Sequence, residues 1–483
     1  MQVRTQADVA VVGGGTSGAI AAVAAGRTGA HTVLVEQYGF VGGVASTGMV
    51  FPGVFDGEGY RAAGGLLQEL FDRMNEMGAS IEHVPNPTGA STTANDPELL
   101  KFVLMNMLIE AGVQPILHSF TVDAAAEGNH IRGVILANKS GLQLQPAKIV
   151  IDATGDADVA ARAGAAFEKG RPEDGRMQPI TLIFRMSNVN LKEIFDYLRD
   201  HPEELRIPFT TAFSKGKAVD TYPLDYYEKT PGSQLETFGC LLDRHWPDWP
   251  GKNMFHISTL RGRDEVTINV TRAQGLDATN VDDLSKAEIE CQRQVLSMVQ
   301  WLRKNAPGFR NARLMSVPFQ VGVRETRRIK GSYTLTMEDV VEGRDFPDAI
   351  GRGAYPLDIH DPAKKIKVLG REVSGKSMTL IHIIRSYGIP YRCLVPERVD
   401  NLLAAGRCIS TTHEAAGSTR GMAVCMVTGE AAGTAAGMAA LKNTLPRDVP
   451  VNELRATLER NKVVLDRDKA ERLSSAVGSA VSS

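Results

Sequence analysis

The first 36 residues follow the apolar pattern of a strand, a helix and a second strand. Val9 to Val12 form a continuous apolar run, which is typical of a strand buried on both faces of a parallel sheet. Small residues from Ser17 to Arg27 predict a helix, and the stretch 31–36 predicts the second strand. The chain therefore begins with a predicted βαβ unit.

Glycines in G-x-G-x-x-G spacing follow the first predicted strand. Gly13 permits a tight turn, Gly15 lets backbone N–H groups reach a pyrophosphate, and Gly18 lets the helix pack closely on the sheet. Glu36 ends the second strand, where a carboxylate can accept hydrogen bonds from ribose hydroxyls. Strand, glycines, helix and acid together predict dinucleotide binding.

A second glycine pair, Gly42 and Gly43, precedes the polar loop 45–48. Glycine leaves the backbone bare, so this segment can pass beside a large flat ligand. A helix is predicted from Asn95 to Gly112, because Pro97 and Glu98 suit its first turn.

Three extended stretches, 114–122, 131–138 and 142–151, are separated by turn residues and predict a small antiparallel meander. The last stretch continues into an apolar run that ends at Gly155, so the chain is expected to re-enter the parallel sheet.

The pattern changes after residue 160. An insertion is indicated by aromatic and proline residues at 246–250, alternating stretches near 256–270 and a helix near 285–305. After it, a short apolar strand at 401–404 is expected to complete the parallel sheet. The predicted architecture is α/β. Residues 1–160 and 388–445 are expected to form a Rossmann-like domain with a parallel sheet and an antiparallel β-meander, into which an α+β substrate or cap domain, 161–387, is inserted. Residues 446–483 are expected to form a C-terminal helix (451–465) and a tail.

The segment 421–441 is long enough to cross a membrane but carries Glu430 and consists mostly of alanine and glycine. A carboxylate at the bilayer centre costs about 2.5 to 3.5 kcal/mol. We therefore expect a buried helix of a soluble protein whose small residues let another backbone approach.

Composition narrows the class of protein. The chain has 483 residues, of which 43% are hydrophobic and 23% charged, and its net charge is -2. These values are typical of a folded globular protein and provide no positive field for nucleic acid. Five cysteines show neither C-x-x-C nor zinc spacing, which predicts reduced thiols, no metal site and a cytoplasmic location. We read no export signal at the amino terminus.

Four stretches resemble a known family: VVGGGTSG at 11–18, DATGDADVA at 152–160, RETRRIKGSYTLT at 324–336 with YPLDIH at 355–360, and NLLAAGRCISTTHEAAGSTRGM at 401–422. They are similar to FAD-dependent oxidoreductases related to the fumarate reductase and succinate dehydrogenase flavoproteins. The resemblance implies FAD rather than NAD, with the adenosine half on the amino-terminal unit and the flavin near the last strand and helix.

The resemblance also implies a set of cofactor-binding positions. Besides the residues already named, these are Thr16, Ser17, Thr154, Gly155, Asp156, Gly406, Arg407, Ser418, Arg420, Gly421 and Met422. A helix that begins near Met422 would direct its N–H groups at the flavin edge that becomes anionic on reduction. Some relatives attach FAD through a histidine near 42–48, and since this chain has none there, we expect noncovalent FAD.

Flavin chemistry requires a group that manages a proton. His413, in the loop before the flavin-facing helix, and His360 are the candidates, because imidazole titrates near neutral pH. Both could equally be structural histidines. Tyr355 and Tyr391 are weaker options.

Substrate anchoring is predicted at Arg324 and Arg392, because guanidinium groups bind carboxylates in a bidentate manner. Arg327 and Arg328 belong to the same basic cluster, and at least one member is expected to pair with Glu325 or Glu338 instead.

The expected activity is that of an FAD-dependent dehydrogenase or reductase. It would transfer a hydride between flavin N5 and a small substrate, which carries a carboxylate if the arginines bind it. The alternatives are an oxidase that uses O2, a flavin-dependent tRNA-modifying protein and an electron-relay subunit. The expected partners are the substrate and an unidentified electron donor or acceptor, without nucleic acid or membrane; a homo-oligomer is left open.

Overall fold

The structure is a computed structural model of the whole chain. It describes residues 1–472 except 49, 87–89, 206–209, 214–223, 231–234, 251–254, 261, 361–364, 369–370 and 375–378, and it gives only the backbone for 210–213, 236, 365–368 and 371–374. The end of the predicted C-terminal tail, 473–483, lies outside the described residues.

A parallel sheet forms the centre of the molecule, as the sequence predicts. Its strands lie in the order Gln114–Ile116, Thr32–Val35, Ala7–Val12, Gly141–Asp152 and Leu402–Ala404. Val12 pairs with Asp152, and Asp152 pairs with Ala404, so three strands end at the same level. The loops that follow them therefore meet at one edge of the sheet.

The antiparallel meander consists of Phe120–Glu127, His130–Asn138 and the first half of Gly141–Asp152. The prediction of one meander strand over 114–122 was wrong. Residues Gln114–Ile116 belong to the parallel sheet, and the chain turns at His118, whose φ of 50° lies in the left-handed region, before the meander begins.

The helix Met422–Lys442 packs on the first helix, Thr16–Arg27, through its glycines. A side chain at Gly429 would overlap the carbonyl oxygen of Ser17, and one at Gly433 would overlap that of Ala21. The helix is apolar enough to span a membrane, but 89% of its most apolar 18-residue window is buried inside the protein. The prediction of a buried helix is confirmed.

A second sheet covers the edge where the parallel strands end. Its strands lie in the order Leu235–Glu236, His256–Ser258, Val266–Asn269, Phe184–Ser187 and Arg313–Ser316. Ile257 and Ile268 belong to the same apolar core as Val295 and Met298 of the helix Val281–Asn305. The alternating residues of the two central strands consequently face the other way, towards the parallel sheet.

The remaining helices are Leu66–Glu76, Pro97–Glu110, Asp158–Arg162, Leu191–Asp200, Leu224–Lys229, Gly239–His245, Met337–Glu342, His413–Thr419 and Val451–Arg460. The remaining strands are Gln2–Val3, Val50–Pro52, Val84–Asn86, Ala90–Ala94, Phe167–Lys169, Thr210–Phe213, Arg327–Ile329, Ala349–Gly353, Leu357–Ile359, Lys365–Val368, Arg371–Ser374, Thr379–His382 and Tyr387–Pro390. Asp96 caps the predicted helix at 97–110, while the last helix ends earlier than predicted.

The domain boundaries stay a prediction. Residues of the described stretch between Leu335 and Ile389 pack in the same core as Val9 and Ile20 of the parallel-sheet unit, whereas Ile180 to Val321 contribute to the separate core under the second sheet.

Candidate functional site

A cavity of about 330 Å³ lies between the ends of the parallel strands and the second sheet. It is lined by loops that lie far apart in sequence. The predicted residues that line it are Gly15, Thr16, Ser17, Gly43, Thr154, Gly155, Arg324, Tyr355, Arg407, Arg420, Gly421 and Met422.

Gly13, Gly15 and Gly18 of the first loop have surroundings that fit the tight turn, the exposed backbone and the close packing predicted for them. Gly13 has a φ of 93°, and a side chain there would come within 2.6 Å of the carbonyl oxygen of Ala153. A side chain at Gly18 would overlap the carbonyl oxygen of Gly13, whereas one at Gly15 would meet nothing within 4 Å. Gly15 thus presents bare backbone to open space at the cavity.

Two helices begin at this cavity without a side-chain cap. Gly15 precedes Thr16–Arg27 and Gly421 precedes Met422–Lys442, and at neither helix start does a cap side chain accept a hydrogen bond from the first N–H groups. The first N–H groups of a helix carry partial positive charge and bind anions. One helix start suits a pyrophosphate and the other suits the anionic edge of a reduced flavin, so the residues present fit FAD.

Glu36 and Gly42 support the first loop and do not line the cavity. Glu36 is buried, and its carboxylate accepts hydrogen bonds from the N–H groups of Gly14 at 2.6 Å and Tyr38 at 2.9 Å. Burial raises the pKa of Glu36. The N–H of Gly42 donates to the carbonyl oxygen of Gly14 at 2.8 Å, which holds the second glycine pair against the first loop.

Arg407 carries a free donor beside the cavity. Its Nη2 donates to Asp156 Oδ1 at 2.8 Å, while its Nη1 is buried without a hydrogen-bond partner. Such an unpaired buried donor fits a phosphate or another anionic group of FAD. Asp156 positions Arg407 from outside the cavity lining.

Gly406 and Ser418 lie behind the cavity wall. Gly406 has a φ of 86°, and Ser418 donates a short hydrogen bond to the backbone oxygen of Tyr355. Their contacts shape the wall and do not place them in contact with the cavity.

His413 lies in a buried ion-pair cluster away from the cavity lining. Its Nδ1–H donates to Glu325 Oε1 at 2.8 Å, and Arg328 pairs with the same carboxylate. Because Glu325 holds the ring among buried residues, His413 does not line the cavity, and its role in managing a proton stays a prediction.

His360, the second histidine candidate, is buried beside the cavity and does not line it. Arg272 Nη2 lies 2.9 Å from His360 Nδ1, and since a guanidinium only donates, Nδ1 accepts. The other ring nitrogen lies 2.8 Å from Asp358. Burial lowers the pKa of His360 well below its ordinary value, although the nearby Asp358 carboxylate acts in the opposite direction.

Asp358 binds several polar side chains at one side of the cavity. Its carboxylate accepts from Arg420 at 2.7 Å and from the Tyr355 hydroxyl at 2.9 Å. Burial alone would raise the pKa of Asp358, but His360 and Arg420 hold it well below the ordinary value. Arg420 therefore lines the cavity while its charge is paired with that of Asp358.

The structure separates the two arginines predicted to anchor a substrate. Arg392 is half-exposed, pairs with Asp348 at 2.9 Å and lies over the ring of Tyr333, so its assignment to the site needs correction. Arg324 lines the cavity and donates to the carbonyl oxygen of Pro179 at 2.8 Å and to the hydroxyl of Thr181.

Arg324 forms no ion pair with a carboxylate within the described part of the chain. Burial, followed by the nearby charges of Arg420 and Arg272, lowers its pKa to about 9. The guanidinium is still charged at neutral pH, and although Asp358 lies near it, the cavity contains a cation that forms no direct ion pair among the described residues.

Sequence reasoning missed the polar face of the second sheet. His256, Ser258, Thr267 and Asn269 line the cavity, and burial lowers the pKa of His256 to about 3. Of the described histidines, it alone lines the cavity. The signal was present as the alternation of polar and apolar residues in 256–258 and 266–269.

The comparisons with known proteins agree with this geometry. The model of a family described as FAD dependent oxidoreductase matches residues 8–458.

Solved structures show a more distant likeness. A geranylgeranyl bacteriochlorophyll reductase-like protein from Thermoplasma acidophilum is 12% identical, with 99% of this chain and 96% of that chain covered and a TM-score of 0.44. The p-nitrophenol 4-monooxygenase PnpA from Pseudomonas putida DLL-E4 is 10% identical, with 99% and 83% covered and a TM-score of 0.41. The flavin-dependent brominase Bmp2 is 11% identical, with 94% and 84% covered and a TM-score of 0.45. At these TM-scores the likeness does not indicate a shared reaction.

Proposed function

Because the chain belongs to the FAD-dependent oxidoreductase family, an enzyme family whose cofactor is FAD, we propose that it is a dehydrogenase or reductase acting on a small carboxylate-bearing substrate. The relationship to fumarate reductase and succinate dehydrogenase flavoproteins, the cytoplasmic location and a homo-oligomeric state stay predictions.

The observation that supports this substrate class is the unpaired guanidinium of Arg324. A half-buried cation without a direct carboxylate partner is costly, and a ligand carboxylate would supply the missing negative charge. Arg407 and Arg420 also line the cavity, but each is paired, with Asp156 and Asp358 respectively. Arg324 is thus the cation available to a substrate.

The other residues have supporting roles in this proposal. FAD, when bound, supplies the hydride acceptor or donor at N5. The start of the helix at Met422 would direct its N–H groups at the flavin edge that becomes negative on reduction. Asp358 holds Arg420 and Tyr355 in position at the cavity wall. The second sheet covers the cavity from the opposite side.

The test compares two arginine variants in the FAD-loaded protein. Arg324→Gln should retain FAD and weaken the binding of carboxylates, or raise KM for a carboxylate substrate, by about 100-fold, because a charge-assisted pair is lost. Arg392→Gln is the matched control and should leave binding unchanged, since that side chain pairs with Asp348 outside the cavity. Binding is measured by the perturbation of flavin absorbance. Equal behaviour of both variants would reject the proposal.

The same preparation separates the alternative functions. Anaerobic bleaching of the flavin by a carboxylate supports a dehydrogenase. Peroxide formed stoichiometrically with product in air indicates an oxidase. RNA retained at physiological salt, or a protein that copurifies at fixed ratio, indicates the tRNA-modifying or relay alternatives.

A further inference from the structure

The polar face of the second sheet carries more hydrogen-bonding groups than the protein itself uses. We propose that the substrate is a polyhydroxylated monocarboxylate, the chemical class of the sugar acids. This inference rests on the proposed function and specifies the ligand of the same cavity.

The strand register places the polar side chains on one surface. His256 pairs with Asn269 and Ser258 pairs with Thr267 across the two central strands. Side chains alternate along a strand, so the intervening Ile257 enters the apolar core while these four residues line the cavity. They form two adjacent cross-strand pairs directed at the ligand space.

Three of these side chains have no hydrogen-bond partner among the described residues. Ser258 and Thr267 are each 4% exposed, and the Thr267 hydroxyl is fully buried and unpaired. The amide of Asn269 is likewise free of side-chain hydrogen bonds within the described chain. Buried polar groups are nearly always paired in folded proteins, so the Thr267 hydroxyl and its two cavity-lining neighbours point to a ligand that pairs with them.

The chemistry of the three groups selects hydroxyl-bearing ligands. Each hydroxyl of Ser258 and Thr267 can donate and accept, and the Asn269 amide offers two donors and an acceptor. A sugar hydroxyl also donates and accepts, so it matches any of them. An aliphatic chain would leave all three unpaired, and sites with unpaired polar groups discriminate strongly against such ligands.

The charges of the cavity favour one carboxylate over two. Of the lining arginines, Arg407 pairs with Asp156 and Arg420 with Asp358, which leaves Arg324 as the unpaired cation in the described lining. A dicarboxylate would bring a second negative charge without a free counterion.

The experiment uses six-carbon probes that vary the hydroxyl groups and the number of carboxylates. Gluconate and galactonate carry a carboxylate and hydroxyls, hexanoate lacks the hydroxyls, adipate has two carboxylates, and sorbitol lacks the carboxylate. Each is titrated into the FAD-loaded protein while flavin absorbance is followed. At least one aldonate should bind 10-fold or more tightly than hexanoate, adipate and sorbitol.

Thr267→Val provides the residue-level test, because valine has nearly the same shape and lacks the hydroxyl. It should weaken aldonate binding about 10-fold and leave hexanoate binding and FAD content unchanged. Thr457→Val, on the distant helix Val451–Arg460, is the matched control and should change none of these.

The outcomes separate the two proposals. Hexanoate or adipate binding as tightly as the aldonates, with the binding lost in Arg324→Gln, would overturn the polyhydroxylated class and leave the proposed function standing. Sorbitol binding as tightly as the aldonates would overturn the carboxylate. Loss of FAD from Thr267→Val would overturn the inference, because the polar face would then bind the cofactor.

Discussion

At the scale of single residues, Gly15 and Gly18 have opposite surroundings although they belong to one loop. Gly15→Val should give a folded protein without FAD, because its side chain enters the open space at the helix start where phosphates need bare backbone. Gly18→Ala should instead destabilise the fold by about 1 to 3 kcal/mol or more, because its methyl group overlaps the carbonyl oxygen of Gly13. The ratio of flavin to protein and the Tm of the apoprotein measure the two effects.

Each glycine variant serves as the control for the other. A Gly15→Val protein that purifies with a full complement of FAD, or a Gly18→Ala apoprotein with an unchanged Tm, would contradict this account.

The roles of these glycines could be predicted from sequence because backbone requirements are local. The partners of the polar residues could not. Glu325 and His413, and likewise Asp348 and Arg392, are far apart in the chain, and spacing along the sequence does not indicate which carboxylate meets which cation. Consequently Arg324 and Arg392 looked equivalent as candidates, although one lies at the cavity and the other at the surface.

At the scale of elements, the contact between the helices Thr16–Arg27 and Met422–Lys442 depends on glycine. Gly433→Ala should lower Tm by several degrees, because the added methyl group overlaps the carbonyl oxygen of Ala21. In an exposed helix the same substitution stabilises by up to about 1 kcal/mol. The sign of the change in thermal unfolding therefore tests the close contact, and a raised Tm would show that the helices are not pressed together at this position.

Glu430 links the same helix to the start of the helix Leu66–Glu76. Its Oε2 accepts a hydrogen bond from the N–H of Leu66 at 2.8 Å, and burial raises its pKa to about 8. The unfolded chain releases this proton near the ordinary value of 4.5, whereas the folded chain keeps it until about 8. The free energy of unfolding should therefore fall as pH rises between these values, by a few kcal/mol.

Glu430→Gln removes this titration, because glutamine resembles the protonated acid. The Tm of the variant minus that of the unchanged protein should increase from pH 5 to about 8 and stay constant at higher pH. Glu459→Gln, on the exposed part of Val451–Arg460, is the matched control and should show no such trend. A constant difference across the whole range would mean that Glu430 is ionised in the folded protein.

Long elements with a regular apolar pattern could be predicted from the sequence. A stretch whose two halves belong to different sheet segments could not. The helices at 97–110 and 422–442 follow from their apolar patterns and end residues. The stretch 114–122 reads as one strand because Ile116, Phe120 and Val122 favour a sheet, yet its two halves join different strand pairings. The periodicity of apolar residues indicates whether a segment is a helix or a strand, but it does not indicate which strand it pairs with.

At the scale of the whole molecule, FAD should be held without a covalent bond. The cavity contains Cys425, whose thiol pKa burial raises to about 12, so the reactive thiolate is absent near neutral pH. Precipitation with acid should leave a colourless protein pellet and a yellow supernatant. Flavin absorbance or fluorescence retained in the washed pellet would contradict this expectation, and a Cys425→Ser variant would then show whether this cysteine forms the bond.

The cavity joins loops that begin near residue 15 with a helix that begins at residue 422. A ribosome must therefore synthesise almost the entire chain before the two helix starts can face each other. Coenzyme capture is consequently a late event of biogenesis, and nascent chains that stop short of the glycine-rich helix would leave the apolar side of the amino-terminal helix uncovered, a surface that chaperones recognise.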